Sequence, residues 1–166
     1  MSNSISNFIG AFKGGSRANR FTVGGKILDG ATYHVRATSF PASTLGVIPI
    51  NWRGRIVPYP GERAYLPWQI TILDDPKMAT RLFEAFHTWS NLINNHTTNA
   101  NSGSYPEFDS TLTVSQLGTD SDTAVRTCKL QNAFPQSVGE LAFDMSQDNA
   151  LLSFAVTIGY SHYLTI

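Results

Sequence analysis

Large and small side chains alternate most regularly near the C-terminal end of the chain. Leu152, Phe154, Val156, Ile158 and Tyr160 are large; Ser153, Ala155, Thr157, Gly159 and Ser161 between them are small. A period of two belongs to a strand buried on one face, and the pattern predicts a strand over residues 151–163. The same rule predicts one over 138–145, where Leu141, Phe143 and Met145 alternate with Glu140, Ala142 and Asp144. Further strands are expected over 111–117 and 124–133, with turns at 118–123 and 146–149. Residues 66–73 set Trp68, Ile70 and Ile72 against Gln69 and Thr71. Residues 21–28 and 32–40 read as a strand pair joined at Asp29-Gly30, a strong hairpin signal. In its second strand Tyr33, Val35 and Ala37 face one way, and His34, Arg36 and Thr38 the other.

A helical period appears once at length. Met78, Leu82, Ala85, Phe86, Trp89 and Ile93 form one wide stripe. Asp75 as N-cap and Pro76 at the first helical position start a helix over 76–93. A single amphipathic helix among strands must lay its stripe on a sheet, so core packing explains the stripe better than a ligand box. Ile5, Phe8, Ile9 and Phe12 also fall at helical spacing, ahead of Gly14-Gly15. So short a helix needs something to dock on, either its own domain or a neighbouring subunit. Residues 94–110 are polar and aperiodic and read as a surface loop. Its Asn95-His96-Thr97 sequon has no use in a cytoplasmic chain.

Between these elements lies FPASTLGVIPINWRGRIVPYPGERAYLPWQITILDD, residues 40–75. An apolar run from Leu45 to Ile50 turns through Asn51, Trp52, Arg53 and Gly54 and returns from Arg55 to Tyr59. A second turn is expected at Pro60-Gly61-Glu62. Pro41, Pro49, Pro58, Pro60 and Pro67 each remove a backbone donor, which suits an edge or a projection and not a sheet centre. Residues 41–65 are thus a projecting arm. Trp, Tyr and Arg dominate the energetic centres of protein interfaces, so Trp52, Arg53, Arg55, Tyr59, Glu62 and Arg63 are candidate inter-subunit or inter-ring contacts.

At 166 residues the chain is expected to be one domain, 1–166, with 1–15 as an N-terminal segment. Net charge is zero and 14% of residues are charged, a balance that favours self-association over capture of nucleic acid or an anionic membrane. Arg53, Arg55 and Arg63 beside Trp52 and Tyr59 resemble a single-strand platform, but Glu62 and the neutral total oppose that reading. Cys128 is the one cysteine, so no internal disulfide and no thiolate cluster is possible. It is expected to be a small buried hydrophobe. The first residues, MSNSISNFIGAFKGG, have no charged leader before an apolar core, so no signal peptide is expected. No run is long enough for a spanning helix.

Catalytic signatures are missing. There is no G-x-x-x-x-G-K-[ST] and no G-x-G-x-x-G, and no G-x-S-x-G frames a serine nucleophile. His34, His87, His96 and His162 are scattered, which leaves metal binding unsupported. Asp74 and Asp75 are used in starting a helix. No enzyme activity and no cofactor are expected.

Taken in order, the signals resemble the tail tube proteins of contractile-tailed bacteriophages. The family pattern runs through an Ala-Thr-x-Phe/Leu-Pro step, here Ala37 to Pro41, then an apolar run and a basic turn. It continues through Pro/Ala-Gly-Asp/Glu-Arg, here Pro60 to Arg63, a Trp-bearing strand ending in Asp, an aromatic helix, and NAFPQSVGEL at 132–141. The resemblance covers nearly the whole chain. It implies a mainly β subunit, sandwich or barrel-like, with one flanking helix, whose strands join those of other subunits in a common inner β-barrel. Six copies would close a ring, and rings would stack into a virion tube inside a contractile sheath. Assembly would take place in the host cytoplasm. Sheath, baseplate, tail terminator and tape-measure proteins would be partners, with DNA passing through the lumen and no membrane insertion. Strands around 138–145 and 151–160 would line the lumen, with Glu140 and Asp144 as candidate lumen-facing residues and an acidic or near-neutral wall. A wall lined mainly by Arg36 and Lys129 would contradict this. The same tube could serve a type VI secretion or an extracellular contractile injection system. On the residues without the resemblance, an ordinary monomeric β-sandwich binding module with one solvated face is the simpler reading.

Overall fold

The structure, a computed structural model, describes residues 5–12, 14–78, 81–101 and 110–166. Its elements in chain order are α1 (Ile5–Ala11), β1 (Phe21–Gly25), β2 (Val35–Thr38), β3 (Ser43–Trp52), β4 (Arg55–Tyr65) and β5 (Trp68–Leu73). Then follow α2 (Leu82–Ile93), β6 (Ser110–Leu117), β7 (Ala124–Val138), β8 (Ser153–Gly159) and β9 (His162–Thr165). The main sheet is antiparallel in the order β1-β6-β7-β8-β5-β2, with β9 also on β7. β3 and β4 form a separate ribbon.

β7 joins the two halves of the sheet. Its first part pairs with β6 and β9, and its last part, from Phe134 to Val138, pairs with β8. The register shifts between Pro135 and Ser137, and Asn132 takes a φ of 54°. Both irregularities bend a strand. Val23, Leu112 and Leu130 from one half and Trp68, Ile72, Phe154 and Ile158 from the other fall in one buried cluster. Leu82, Phe86 and Trp89 of α2 complete it, as the helical stripe predicts. Phe83 and Phe86 meet Phe154 edge-on, with ring centroids 5.3 and 6.4 Å apart. Such pairs add about 0.5–1.5 kcal/mol each beyond the area they bury. Cys128 is buried in the same cluster.

Several sequence expectations are corrected. Residues 21–40 are not a hairpin: β1 pairs with β6, and β2 pairs with β5. The Asp29-Gly30 reversal exists, with Gly30 at φ 76°, but 3-10 turns at Lys26–Leu28 and Thr32–His34 flank it. Leu28 and Ala31 are fully buried there, so the connector itself is core and the strands part company. Tyr33, expected on the face of Val35, is 94% exposed.

The long helix starts at Leu82 and not at Pro76. The Asp75 carboxylate instead closes a local turn by accepting the Lys77 N–H at 2.9 Å, the other structure an Asp favours. That bond, and next the hydrogen bond with His34 Nε2 at 3.4 Å, hold Asp75 below the usual carboxylate range.

At the C-terminal end, strand 151–163 is two strands on the same edge of β7, separated at Tyr160-Ser161. The break is held by the Ser161 N–H and hydroxyl, which both donate to the Gln131 carbonyl. β7 runs past Ala133 to Val138, and the strand expected over 138–145 is absent beyond that residue. Gly139 makes a last backbone bond to Ala155, and the chain then leaves the sheet. Most of the polar loop, 102–109, lies outside the described residues. Among the described residues no helix is long and apolar enough to cross a membrane.

Candidate assembly interface

The arm is the clearest site on the subunit. β3 and β4 pair from Ser43–Tyr65 at the root to Trp52–Arg55 at the tip, roughly 30 Å at the usual rise of a strand. Arg53 and Gly54 form a two-residue turn with φ 46° and 78°, the signature of a type I′ hairpin. A β-carbon at position 54 would meet nothing, so glycine is required there by conformation and not by space. The expected turn at Pro60-Gly61-Glu62 is a bulge within β4, where the register slips between Leu45 and Val47. A β-carbon on Gly61 would lie 3.2 Å from the Gly46 backbone, so the two strands touch at this point. A bulge bends a ribbon without ending it.

The six candidate contact residues do not form one constellation. Trp52, Arg53 and Arg55 share the tip, where the Arg53 guanidinium stands 5.4 Å from the Trp52 ring centre, a cation–π distance. Tyr59 lies midway, opposite Ile48, and Glu62 is in the bulge. Arg63 belongs to the root and is engaged internally, donating to Ser43 Oγ at 2.8 Å.

The root is a tyrosine cluster. Tyr65 of the arm packs on Tyr163 and Tyr160 of the body at centroid distances of 5.6 and 6.0 Å. Ser43 Oγ and the Tyr163 hydroxyl are 3.3 Å apart, and the Tyr160 hydroxyl donates to the Ala42 carbonyl. Burial, and after it the neighbouring Tyr163 and Tyr65, raise the Tyr160 phenol above its ordinary value.

Sequence reasoning selected the polar and aromatic arm residues and passed over the aliphatic ones. Val47, Ile48, Ile50, Ile56 and Val57 are all exposed on the ribbon. The signal was available: alternation breaks down in both arm strands, so no face is left for water. The stripe of α1 is likewise exposed, and Phe8 stacks on Phe12 at 5.3 Å. The subunit exposes 12008 Å² in all, whereas a compact monomer of 18.2 kDa exposes about 8,100 Å² by the scaling of surface with mass.

Glu140 and Asp144 sit in the connection after β7 and not on a strand. The Asp144 carboxylate accepts the Ser146 hydroxyl at 2.7 Å and the Ser146 N–H at 2.9 Å, and these bonds lower its pKa. Phe143 and Met145, drawn as a buried row by their alternation, are exposed. The sheet face turned away from the core carries Ala37, Gln69, Thr71, Ala155 and Thr157, in mutual register across β2, β5 and β8. It is small and neutral. Arg36 lies at its margin, beside a cavity of about 670 Å³ shared with Ser153, Ala142 and Asp144. Lys129 is on the other half of the sheet, opposite Thr113 and Leu164. Among the described residues no three His, Cys, Asp or Glu side chains come together as a metal site.

Residues 16–166 match the model of the phage tail tube protein family. The chain is 26% identical over 132 residues to the tail tube protein gp19 of Enterobacteria phage T4, covering 80% of each. It is 28% identical over 123 residues to the tail tube protein of Serratia phage KSP90, covering 74% of this chain and 68% of that one. Its fold is similar to a chain in the extended sheath-tube complex of an extracellular contractile injection system, with a TM-score of 0.65, 20% identity and 99% of both chains covered. It is also similar to a chain of the anti-feeding prophage cap, with a TM-score of 0.67, 18% identity and coverage of 94% and 93%. With the family model spanning nearly all of it, this chain belongs to the phage tail tube protein family, and it is a structural, tube-forming protein and not an enzyme.

Proposed function

We propose that this protein forms the inner tube of a contractile phage tail, by stacking of hexameric rings, and that the tube is the conduit for DNA. The observation that carries the reading is the surface left uncovered. The excess over a compact monomer of the same mass is roughly 3,900 Å². Much of it is aliphatic and aromatic, on the arm and α1, where an isolated subunit has most to gain from association.

The sheet ends in β1 and β2, and unpaired edges are a hazard that closure with copies removes. Closure around the neutral face of β2, β5 and β8 gives the common inner barrel a wall of small side chains. Such a wall offers DNA few cations to adhere to, which supports a near-neutral lumen. Glu140 and Asp144 then belong to its rim. The arm, through Trp52, Arg53, Arg55 and Tyr59, contacts the adjacent subunit or ring. Sheath, baseplate and terminator are the outer partners, a reading supported by similar folds in the sheath-tube, terminator and baseplate structures of contractile particles. Tape-measure protein and DNA occupy the lumen, and the site of action is the virion, after assembly in the host cytoplasm.

The fold likeness to a chain of an extracellular contractile injection system supports a second reading, the tube of a type VI secretion or extracellular contractile injection system. Negative-stain microscopy of the purified chain tests what both share: rings or hollow filaments are expected. A chain that elutes as a monomer at high concentration would overturn both.

A further inference from the structure

A cavity of about 260 Å³ lies where the start of β1, the end of β6 and the start of β7 meet the chain that follows β2. Phe21, Gln116 and Arg126 form one rung across the three strands and share a side. The next rung on that side is Val23, Val114 and Cys128, all buried in the core. Gln116 and Arg126 therefore face the mouth of the interior and not the outer surface. Residues 38–40 line the cavity from the other half of the sheet, and Arg17 and Arg20 line it from the segment before β1.

Three of the chain's 12 lysines and arginines border this one small space, and no described Asp or Glu does. Arg20 is occupied. Its Nε donates to the Gly118 carbonyl at 3.0 Å, its Nη2 donates to the Ser121 carbonyl at 3.1 Å, and Asp122 stands 3.3 Å away. Those bonds hold the turn after β6. Arg17 and Arg126 differ: among the described residues neither guanidinium donates a hydrogen bond or meets a carboxylate. The Gln116 amide and the Ser39 hydroxyl border the same space, also without a hydrogen-bond partner among the described residues. Nor can the segment before β1 simply swing away. The Arg20 N–H donates to the Arg17 carbonyl at 3.3 Å, and the Arg20 carbonyl accepts the Leu117 N–H at 3.0 Å. The fold thus keeps like charges together in a cleft, an arrangement that raises the local concentration of anions.

We infer that this cavity is an anion site whose ligand is a phosphoryl group, inorganic phosphate or the phosphate of a small soluble monoester. Guanidinium forks match phosphate oxygens in pairs. A phosphate monoester carries about −1.5 to −2 charges at neutral pH and three acceptor oxygens, enough for Arg17, Arg126, Gln116 and Ser39 together. A carboxylate or a phosphodiester has a single charge and two free oxygens, and it would leave part of that donor set unmet. Phe21 and Phe40, half-buried against the core, give the rest of a monoester an apolar wall. Filling the site relieves the repulsion between the cations and ties the segment before β1 to β7, so the bound anion stabilises the fold. The site lies within one subunit and does not rest on the tube reading.

The test is titration of the purified full chain with inorganic phosphate, by calorimetry and by thermal melting, against sodium chloride of equal ionic strength. Phosphate is expected to bind and to raise the melting temperature with concentration, and chloride is not. Arg126→Gln and Arg17→Gln break no bond within the chain. Each is expected to weaken phosphate about 10- to 100-fold, the worth of a hydrogen bond to a charged group, with the ligand-free melting temperature not lowered. Lys77→Gln, at the Asp75 turn, should bind as wild type does. A wild-type chain that takes up no phosphate, or chloride that matches its effect, would overturn the site. Phosphate binding that survives both arginine variants would do the same by placing the anion elsewhere. Acetate held as tightly as phosphate would overturn the choice of a phosphoryl group. None of these results touches the tube reading, because rings and filaments are scored on the chain without phosphate.

Discussion

Two antiparallel strand pairs in this subunit are made of the same residue types, yet they meet water very differently. In β5 and β8, Trp68, Ile70 and Ile72 lie across from Ile158, Val156 and Phe154, and all six are buried. In β3 and β4, Trp52, Ile50 and Ile48 lie across from Arg55, Val57 and Tyr59, and all are exposed. Trp68 is 1% exposed and Trp52 63%. Backbone pairing runs the length of both ribbons, with one bulge in the arm, so pairing does not decide burial. What differs is the second layer. The first pair has α2 and the other half-sheet above it, and small polar residues on its far side. The second has apolar side chains on both sides, and beyond its root no described residue buries them.

The largest contrast should come from the two tryptophans. Trp68→Ala opens a cavity in the core and loses the indole bond to the Ser39 carbonyl, at 2.6 Å. A cost of about 3–5 kcal/mol is expected, read as a lower denaturant midpoint of the subunit. Trp52→Ala with Arg55→Ala should shift the subunit's stability by no more than about 0.5 kcal/mol, yet abolish tubes. Tubes unaffected by the arm pair would erase the difference between the two regions.

The joint between them gives a smaller effect, set by pH. The Tyr160 phenol is raised, so the fold favours its neutral form. The stabilisation is complete below the ordinary tyrosine value of about 10 and is lost as pH rises through the raised value. Alkaline titration should therefore loosen the arm root before the core, visible as ionised Tyr160 absorbance preceding loss of tryptophan burial. Tyr160→Phe should remove that early step.

The smallest effect belongs to the connection after β8's neighbour β7. Asp144 is depressed, so its turn is present above about pH 3.9 and is lost as pH falls through the lowered value. Ser146→Ala should bring the Asp144 titration, followed by carboxyl NMR, back toward the ordinary value. Titration unchanged by that substitution would remove the Ser146 hydroxyl bond as the leading cause.

Elements that carry their own burial signal were legible in the sequence. Trp68 to Ile72, Phe154 to Ile158 and the stripe Leu82, Phe86, Trp89 have one apolar side each, and each is buried as read. The arm was legible through its prolines. Partner choice was not. Asp29-Gly30 specifies a reversal, but the burial of Leu28 and Ala31 decides where the strands on either side go. Asp75 satisfies a turn as well as a cap, so it could not date the start of α2. Residues 140–145 alternate as a strand does, but alternation without a neighbouring ladder does not make one. The arm's aliphatic residues were passed over because an apolar run in a sequence does not tell a buried strand from an exposed one.

The long shared strand has a mechanical meaning. β7 is one covalent backbone stitched on one flank to β6 and on the other to β9 and β8. A tug that drags the two half-sheets apart along β7 loads many rungs in shear at once, instead of opening them one by one from an end. The spine of the molecule is thus also its tendon, and under axial force the subunit should yield at the connections around β7 before β7 itself lets go.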